Sequence, residues 1–283
     1  MLQIGKYNDL HLTRFCDMGA MFDGGDAGEI LMPKRYLKDW MEVGSLVHVL
    51  VYPDSEDKLV CTREKAYAQV GDFVFLQVEL VNEVGAYLDW GVARKLFVPI
   101  REQRARMQED GVYLVHILYN ENTKRIYGTA KYEQYIDKSK PPYQVGDEVQ
   151  ILIAAKTDLG FKAIINNQYM GMLYANELFD TLELGHTCTA YIKRVRDDFK
   201  IDLSLSKIGY AQVADFSEEL HRRLIERGGF MAVTDKTEAE TIYELFGVSK
   251  KTFKKALGDL YRKQLISIDQ EGIQLLTDNT ASN

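Results

Sequence analysis

Cysteine, proline and long apolar runs are all scarce in this sequence of 283 residues. The three cysteines, Cys16, Cys61 and Cys188, are odd in number, far apart and without a C-x-x-C pair. That pattern excludes a disulfide framework and the usual zinc ribbons. The first residues lack the apolar core of a signal peptide, and no run of about 18 apolar residues could span a membrane. We therefore expect reduced thiols, no membrane contact and a cytoplasmic protein.

Positive charge is also in deficit, with 35 lysines and arginines against 42 aspartates and glutamates and a net charge of −7. A nonspecific nucleic-acid binder usually carries a basic excess, because neutralising phosphates drives its affinity. Any nucleic-acid site here must therefore be a local basic or aromatic patch, and its binding should fall steeply with salt. Hydrophobic residues make up 46% of the chain, which is enough for packed cores.

Glycines reveal an internal repeat. Pairs of glycines 14 residues apart occur three times, and the pairs begin 66 and then 75 residues apart: Gly5 and Gly19, Gly71 and Gly85, Gly146 and Gly160. Apolar residues recur with a period near two within the repeats, for example over 70–78 and 145–153, as in β-strands. Five short strands per repeat predict a small closed Greek-key barrel, which leaves no exposed sheet edge.

The pattern becomes helical after about residue 210. Apolar spacing predicts a first helix around residues 213–225, a second over 237–246 and a third over 250–264, capped by Ser249. Residues 266–276 predict a hairpin that turns near Glu271 and Gly272. Three helices followed by a hairpin are typical of a winged helix-turn-helix.

These patterns predict four domains: repeats at 1–64, 65–137 and 143–208, and a winged helix at 210–278. The joint between the first two repeats is short, whereas Pro141 and Pro142 favour an extended, semi-rigid spacer before the third. We therefore expect the first two barrels to pack as a unit and the third to be set apart.

The second and third repeats resemble S1 RNA-binding domains. The second has V-G-D at 70–72 and V-G-A-Y-L-D at 84–89, and the third has V-G-D at 145–147 and the closing L-S-L-S at 203–206. The first repeat is the most degenerate. Three S1-like repeats followed by a winged helix resemble the conserved virulence factor B family, also called the YitL family. The repeats predict a mainly β fold of three S1-type OB-fold barrels, and the family resemblance implies an RNA-binding regulator in bacteria that acts after transcription.

The resemblance also indicates where RNA would bind. S1 barrels stack single-stranded bases on aromatic side chains in a basic groove. The first repeat keeps only Lys58 of this pattern and is expected to be a structural spacer. One aromatic per barrel predicts weak binding by each and affinity from linked modules. The predicted RNA-binding residues lie in the second and third repeats: Tyr87, Arg125, Lys162, Tyr174, Arg196 and Lys200.

The third predicted helix carries a basic face, and in winged-helix proteins this helix commonly lies in a groove of nucleic acid. Duplex nucleic acid is therefore a possible second partner, although a solvated lysine face or a protein contact would give the same pattern. The residues concerned are Lys250, Lys251, Lys254 and Lys255.

No catalytic or metal-binding arrangement is evident in the sequence. The five histidines have no ligand-spaced partner, and there is no phosphate-binding G-x-x-x-x-G-K motif. The acidic group Asp197, Asp198 and Asp202 is interpreted as turn residues. We expect a non-enzymatic RNA-binding protein without cofactor or metal. Two alternatives remain: a DNA-binding transcription regulator that uses the winged helix, and a scaffold that contacts other proteins.

Overall fold

The computed structural model describes residues 2–175, 178, 182–205 and 210–276, and for 210–215 the backbone alone. This part of the chain is mainly β, with three closed five-stranded barrels and a small winged helix. The predicted fold class is confirmed. The predicted ends of the third repeat at 208 and of the winged helix at 278 lie outside the described residues.

Each barrel uses five consecutive strands in the same arrangement, in which the third strand pairs with the fifth. Barrel 1 contains β1 (Tyr7–Cys16), β2 (Gly19–Asp23), β3 (Glu29–Pro33), β4 (Leu46–Pro53) and β5 (Leu59–Thr62). Barrel 2 contains β6 (Phe73–Val81), β7 (Gly85–Leu88), β8 (Leu96–Pro99), β9 (Val112–Asn120) and β10 (Arg125–Thr129). Barrel 3 contains β11 (Glu148–Thr157), β12 (Gly160–Ile165), β13 (Tyr169–Tyr174), β14 (Thr187–Val195) and β15 (Ile201–Ser204).

The second glycine of each repeat opens the second strand of its barrel, at Gly19, Gly85 and Gly160. A Cβ atom at any of the three would collide with a backbone carbonyl oxygen of the neighbouring strand. Only glycine allows that close approach. The spacing that reveals the repeat therefore reflects a steric need of the barrel.

Barrels 1 and 2 pack against each other through one apolar cluster, as predicted. Leu50 and Tyr52 of β4 are buried in the same cluster as Leu88 and Trp90 of barrel 2. The rings of Tyr52 and Trp90 meet edge to face, with centroids 6.4 Å apart, a favoured aromatic geometry.

The expectation that the third repeat would be set apart is wrong. Ala154 of β11 and Ile164 of β12 are buried in one cluster with Phe73 of barrel 2. Asn167 Nδ2 also donates a hydrogen bond of 2.7 Å to Asp72 Oδ1. Adjacent prolines restrict the chain locally, but they do not prevent the apolar surfaces on either side from packing.

The chain divides into two compact units, Met1–Pro141 with Gln150–Cys188 and Pro142–Val149 with Thr189–Asn283. All three cysteines are free thiols. Cys61 is buried in the core of barrel 1, and desolvation raises the pKa of its thiol to about 12. It is therefore protonated at neutral pH and acts as a small core residue.

The winged helix contains α1 (Tyr210–Glu226), β16 (Phe230–Met231), α2 (Ala239–Phe246), α3 (Lys250–Arg262), β17 (Ile266–Ile268) and β18 (Ile273–Leu275). Ser249 caps α3 as predicted, since its Oγ accepts a hydrogen bond of 3.1 Å from the Thr252 backbone N–H. Phe216, Phe246 and Phe253 form the centre of its core. The strand β16 was not predicted; it pairs with β18.

Candidate nucleic-acid interface

A row of three aromatic rings crosses one face of barrel 2. Phe97 of β8 pairs with Tyr87 of β7 on one side and with Tyr127 of β10 on the other. Directly paired residues lie on the same face of a sheet, and alternation along β8 buries Leu96 and Val98 while Phe97 faces outward. The rings of Tyr87 and Phe97 are 5.1 Å apart and tilted by 39°. Three adjacent, half-buried rings offer flat surfaces on which bases can stack.

The three rings lie in an open groove of about 740 Å³, here called the ring groove. Its remaining lining is basic, neutral polar or apolar, and no carboxylate belongs to it: Ser55, Val84, Arg94, Lys95, Pro99, Arg101, Asn120, Thr123, Arg125 and Ile126. Four cations beside three rings are the combination by which OB-type barrels hold a single strand.

Carboxylates flank the cations of the ring groove from outside its lining. Lys95 Nζ is 2.7 Å from Glu79 Oε1 and 3.3 Å from Asp89 Oδ1. Arg101 is 83% exposed, and its only described ion-pair partner, Glu102, is 3.9 Å away. Arg101 is therefore the cation most accessible to a phosphate.

Asp57, in the turn between β4 and β5 of barrel 1, holds two of the groove's arginines. Arg125 donates to both carboxylate oxygens, with an Nη2 to Oδ2 distance of 2.8 Å, and Arg94 Nη2 is 3.9 Å from Oδ1. The hydrogen bonds from Arg125 hold the pKa of Asp57 below its ordinary value. The carboxylate is thus ionised at neutral pH, and it occupies the guanidinium that a bidentate phosphate would use.

The other two barrels lack this row of rings. In barrel 1 the corresponding residues are Met21, Leu31 and Val60, paired in the same register. In the third repeat, Lys162 and Met172 pair at the positions that Tyr87 and Phe97 occupy in barrel 2. Of the barrels, the second alone carries three rings at these positions, so the aromatic surface is concentrated there.

Tyr87 and Arg125, predicted from the sequence, thus lie in one groove. Phe97, Tyr127, Arg94, Lys95 and Arg101 were missed. Outward alternation along β8 was the one signal for Phe97. The contact between β8 and β10 is a parallel pairing between strands distant in sequence, and no local pattern indicates it.

The predicted residues of the third repeat have varied surroundings. Lys162 of β12 is exposed, and Tyr174 is half-buried at the end of β13. Arg196 forms an ion pair with the mostly buried Asp202, with an Nη2 to Oδ1 distance of 2.9 Å. Lys200 Nζ is 2.7 Å from Asp198 Oδ2. A role for these four in RNA binding stays a prediction.

The lysines of α3 differ in their partners. Lys254 Nζ is 3.5 Å from Asp235 Oδ2, and Lys250 Nζ donates to the Lys236 carbonyl at 3.4 Å. Lys251 and Lys255 are exposed, one helical turn apart, and form no ion pair with any residue in the described part of the chain. They are the two lysines best placed to contact a partner.

Two further features are absent from the described residues. No helix among them is long and apolar enough to cross a membrane. No group of three or more histidine, cysteine, aspartate or glutamate side chains among them could hold a metal ion.

Tandem barrels of this topology followed by a winged helix are typical of proteins built from nucleic-acid-binding domains. Comparison with known families agrees: residues 4–64 match the S1 domain, and residues 218–275 match the CvfB-like winged helix domain. The S1 match covers barrel 1, the repeat that is the most degenerate by its motifs.

The more specific resemblance is to conserved virulence factor B. The protein of that name from Staphylococcus aureus (strain USA300) is 24% identical over 244 residues, which cover 84% of this chain and 81% of the relative. The Staphylococcus epidermidis (strain ATCC 12228) protein is 23% identical over 245 residues, covering 84% and 82%. The resemblance to this family that the sequence predicts is confirmed.

A solved structure from Streptococcus pneumoniae, described as a multidomain protein with nucleic acid binding domains, also aligns with the chain. It is 20% identical and covers 96% of this chain and 98% of its own, with a TM-score of 0.41.

Proposed function

We propose that this chain is a non-enzymatic, cytoplasmic RNA-binding regulator that acts after transcription and holds single-stranded RNA in the ring groove of barrel 2. The observation that carries the proposal is the row of Tyr87, Phe97 and Tyr127 beside four cations, with no carboxylate in the lining. Such a surface suits unpaired bases, because a base within a duplex offers no free face for stacking.

The charges around the groove support weak, salt-sensitive binding. Asp57, Glu79 and Asp89 already pair with Arg125 and Lys95. A phosphate must compete with these carboxylates for the cations, so base stacking supplies much of the RNA affinity. Salt weakens the remaining, electrostatic part of that affinity. Such binding is compatible with the net charge of −7.

Contacts to the RNA from barrel 3 and from α3 belong to the same proposal. Lys162 and Tyr174 would contact bases and phosphates of bound RNA, and Lys200, Lys251 and Lys255 would contact phosphates. Linked weak sites raise the overall affinity, because the second contact forms within an already bound complex.

Duplex DNA is the second candidate, favoured by the exposed Lys251 and Lys255 on α3. The wing argues against it. The turn between β17 and β18 carries Asp269 and Glu271, with Asp269 Oδ1 accepting the backbone N–H groups of Glu271 and Gly272. Two carboxylates at the tip of the wing would face phosphates and repel them.

Fluorescence anisotropy of labelled oligonucleotides tests the proposal. The chain should bind single-stranded RNA of about 12 nucleotides more tightly than a DNA duplex of equal length, and Tyr87→Ala with Tyr127→Ala should lower the RNA affinity at least about tenfold. Tyr67→Ala is the control, because Tyr67 is an exposed tyrosine just before barrel 2 and lies outside the ring groove. Tighter binding of the duplex, or an unchanged affinity of the double variant, would overturn the proposal.

A further inference from the structure

Trp40 is exposed to an unusual degree on barrel 1, the barrel that the motif pattern leaves as a spacer. The residue is 53% exposed, although tryptophan is on average highly buried. The guanidinium of Arg63 lies over its ring, 5.2 Å from the centroid. An exposed indole covered on one face by an arginine presents a flat, positively charged surface.

A second pair of this kind lies on the same barrel. The guanidinium of Arg35 is 4.7 Å from the centroid of the Tyr36 ring. Arg35 and Arg63 are both exposed, and neither forms an ion pair with a residue that the structure describes. These four residues, Arg35, Tyr36, Trp40 and Arg63, are called the Trp40 patch.

Glu64 connects the Trp40 patch to the edge of the ring groove. Tyr36 Oη donates a hydrogen bond of 2.9 Å to Glu64 Oε2. The same oxygen accepts the Ala93 backbone N–H at 3.2 Å. Ala93 directly precedes Arg94, which lines the ring groove. The Glu64 carboxylate therefore links the Trp40 patch to barrel 2 through these two hydrogen bonds.

We propose that the Trp40 patch is a second base-stacking position for RNA, which continues the path of the strand from the ring groove onto barrel 1. This inference rests on the proposed function. Bases stack on aromatic rings and on arginine planes alike, and the two guanidiniums, which form no ion pair with a described residue, supply contacts to phosphates. Continuity with a groove of the same chemistry favours RNA over a protein partner as the occupant.

Tryptophan fluorescence gives a direct readout. The chain has two tryptophans, and Trp90 is only 2% exposed. Stacking of a base on Trp40 should quench the emission of the exposed indole and leave that of Trp90. In Trp40→Phe the quenching should disappear, while a ring remains for stacking and most of the affinity is kept.

The length of the oligonucleotide separates the two sites. Unlabelled oligouridine of about 5 nucleotides should fill the ring groove alone, and about 15 nucleotides should reach the Trp40 patch as well. Only the longer RNA should quench Trp40. Trp40→Ala should weaken binding of the longer RNA by about five- to 100-fold and leave the shorter unchanged. Phe15→Ala is the control, because Phe15 is 48% exposed on the same barrel without an arginine over its ring.

Two failures can be told apart. If Tyr87→Ala weakens both RNAs while Trp40 is not quenched and Trp40→Ala binds the longer RNA as the unaltered chain does, the inference is overturned and the proposed function stands. If neither RNA binds, or Tyr87→Ala changes nothing, the proposed function fails and the inference fails with it. Circular dichroism and thermal melting of each variant show that the barrels remain folded.

Discussion

Replacing Asp57 with asparagine should strengthen the binding of RNA in the ring groove. The carboxylate is 2.8 Å from Arg125 and 3.9 Å from Arg94, so its single negative charge lies beside two of the cations that a phosphate would contact. Asparagine removes the charge with little change in shape. The backbone of Asp57 is left-handed, with φ of 60°, a conformation that asparagine tolerates well.

The size of the effect follows from Coulomb's law. A phosphate on Arg125 would lie within a few ångströms of the Asp57 carboxylate, and in a solvated groove removing that repulsion should raise the affinity about three- to tenfold at low salt. The gain should shrink at higher salt, because the freed arginine steepens the dependence of affinity on ionic strength.

Anisotropy titrations of the two chains at several salt concentrations measure this effect. Asp110→Asn is the matched control, since Asp110 also has a left-handed backbone, with φ of 62°, and lies outside the groove lining. Weaker binding by Asp57→Asn, or an equal gain in Asp110→Asn, would refute the assignment of Arg125 to phosphate contact.

Three further predictions concern the rest of the chain. Burial lowers the pKa of His116 below its ordinary value of about 6.5, so the unfolded state takes up the proton first; the melting temperature should fall as the pH is lowered through about 6.5, and less so in His116→Asn. Arg196→Ala should lower the free energy of unfolding by roughly 1–3 kcal/mol, because the mostly buried Asp202 loses the ion pair with this guanidinium; unchanged denaturant melts would contradict this. Lys251→Ala with Lys255→Ala should lower the salt dependence of RNA binding by about two phosphate contacts, if α3 touches the strand.

The fold could be predicted because its causes are local. Each of its determinants is visible in a short stretch of sequence. They are the alternation of apolar residues in the strands, the helix cap at Ser249 and the steric need for glycine at Gly19, Gly85 and Gly160. The packing of the third repeat against barrel 2 has no such local sequence pattern, because it depends on residues such as Ala154 and Phe73 that come into contact only after folding.

The candidate site was predictable only in part for the same reason. Tyr87 and Arg125 occupy positions of the S1 pattern. Tyr127 and Phe97 look like ordinary strand residues until the register of β8 and β10 brings them together. Asp57 and Arg125 are 68 residues apart, and their ion pair depends on how barrels 1 and 2 dock.

The most direct test of RNA binding in the ring groove is photocrosslinking of the full chain to a 4-thiouridine oligonucleotide, followed by peptide mapping by mass spectrometry. The account predicts attachment at Tyr87, Phe97 or Tyr127, and loss of that attachment when unlabelled single-stranded RNA competes. Attachment confined to the winged helix, with the peptides of β7, β8 and β10 unmodified, would contradict it.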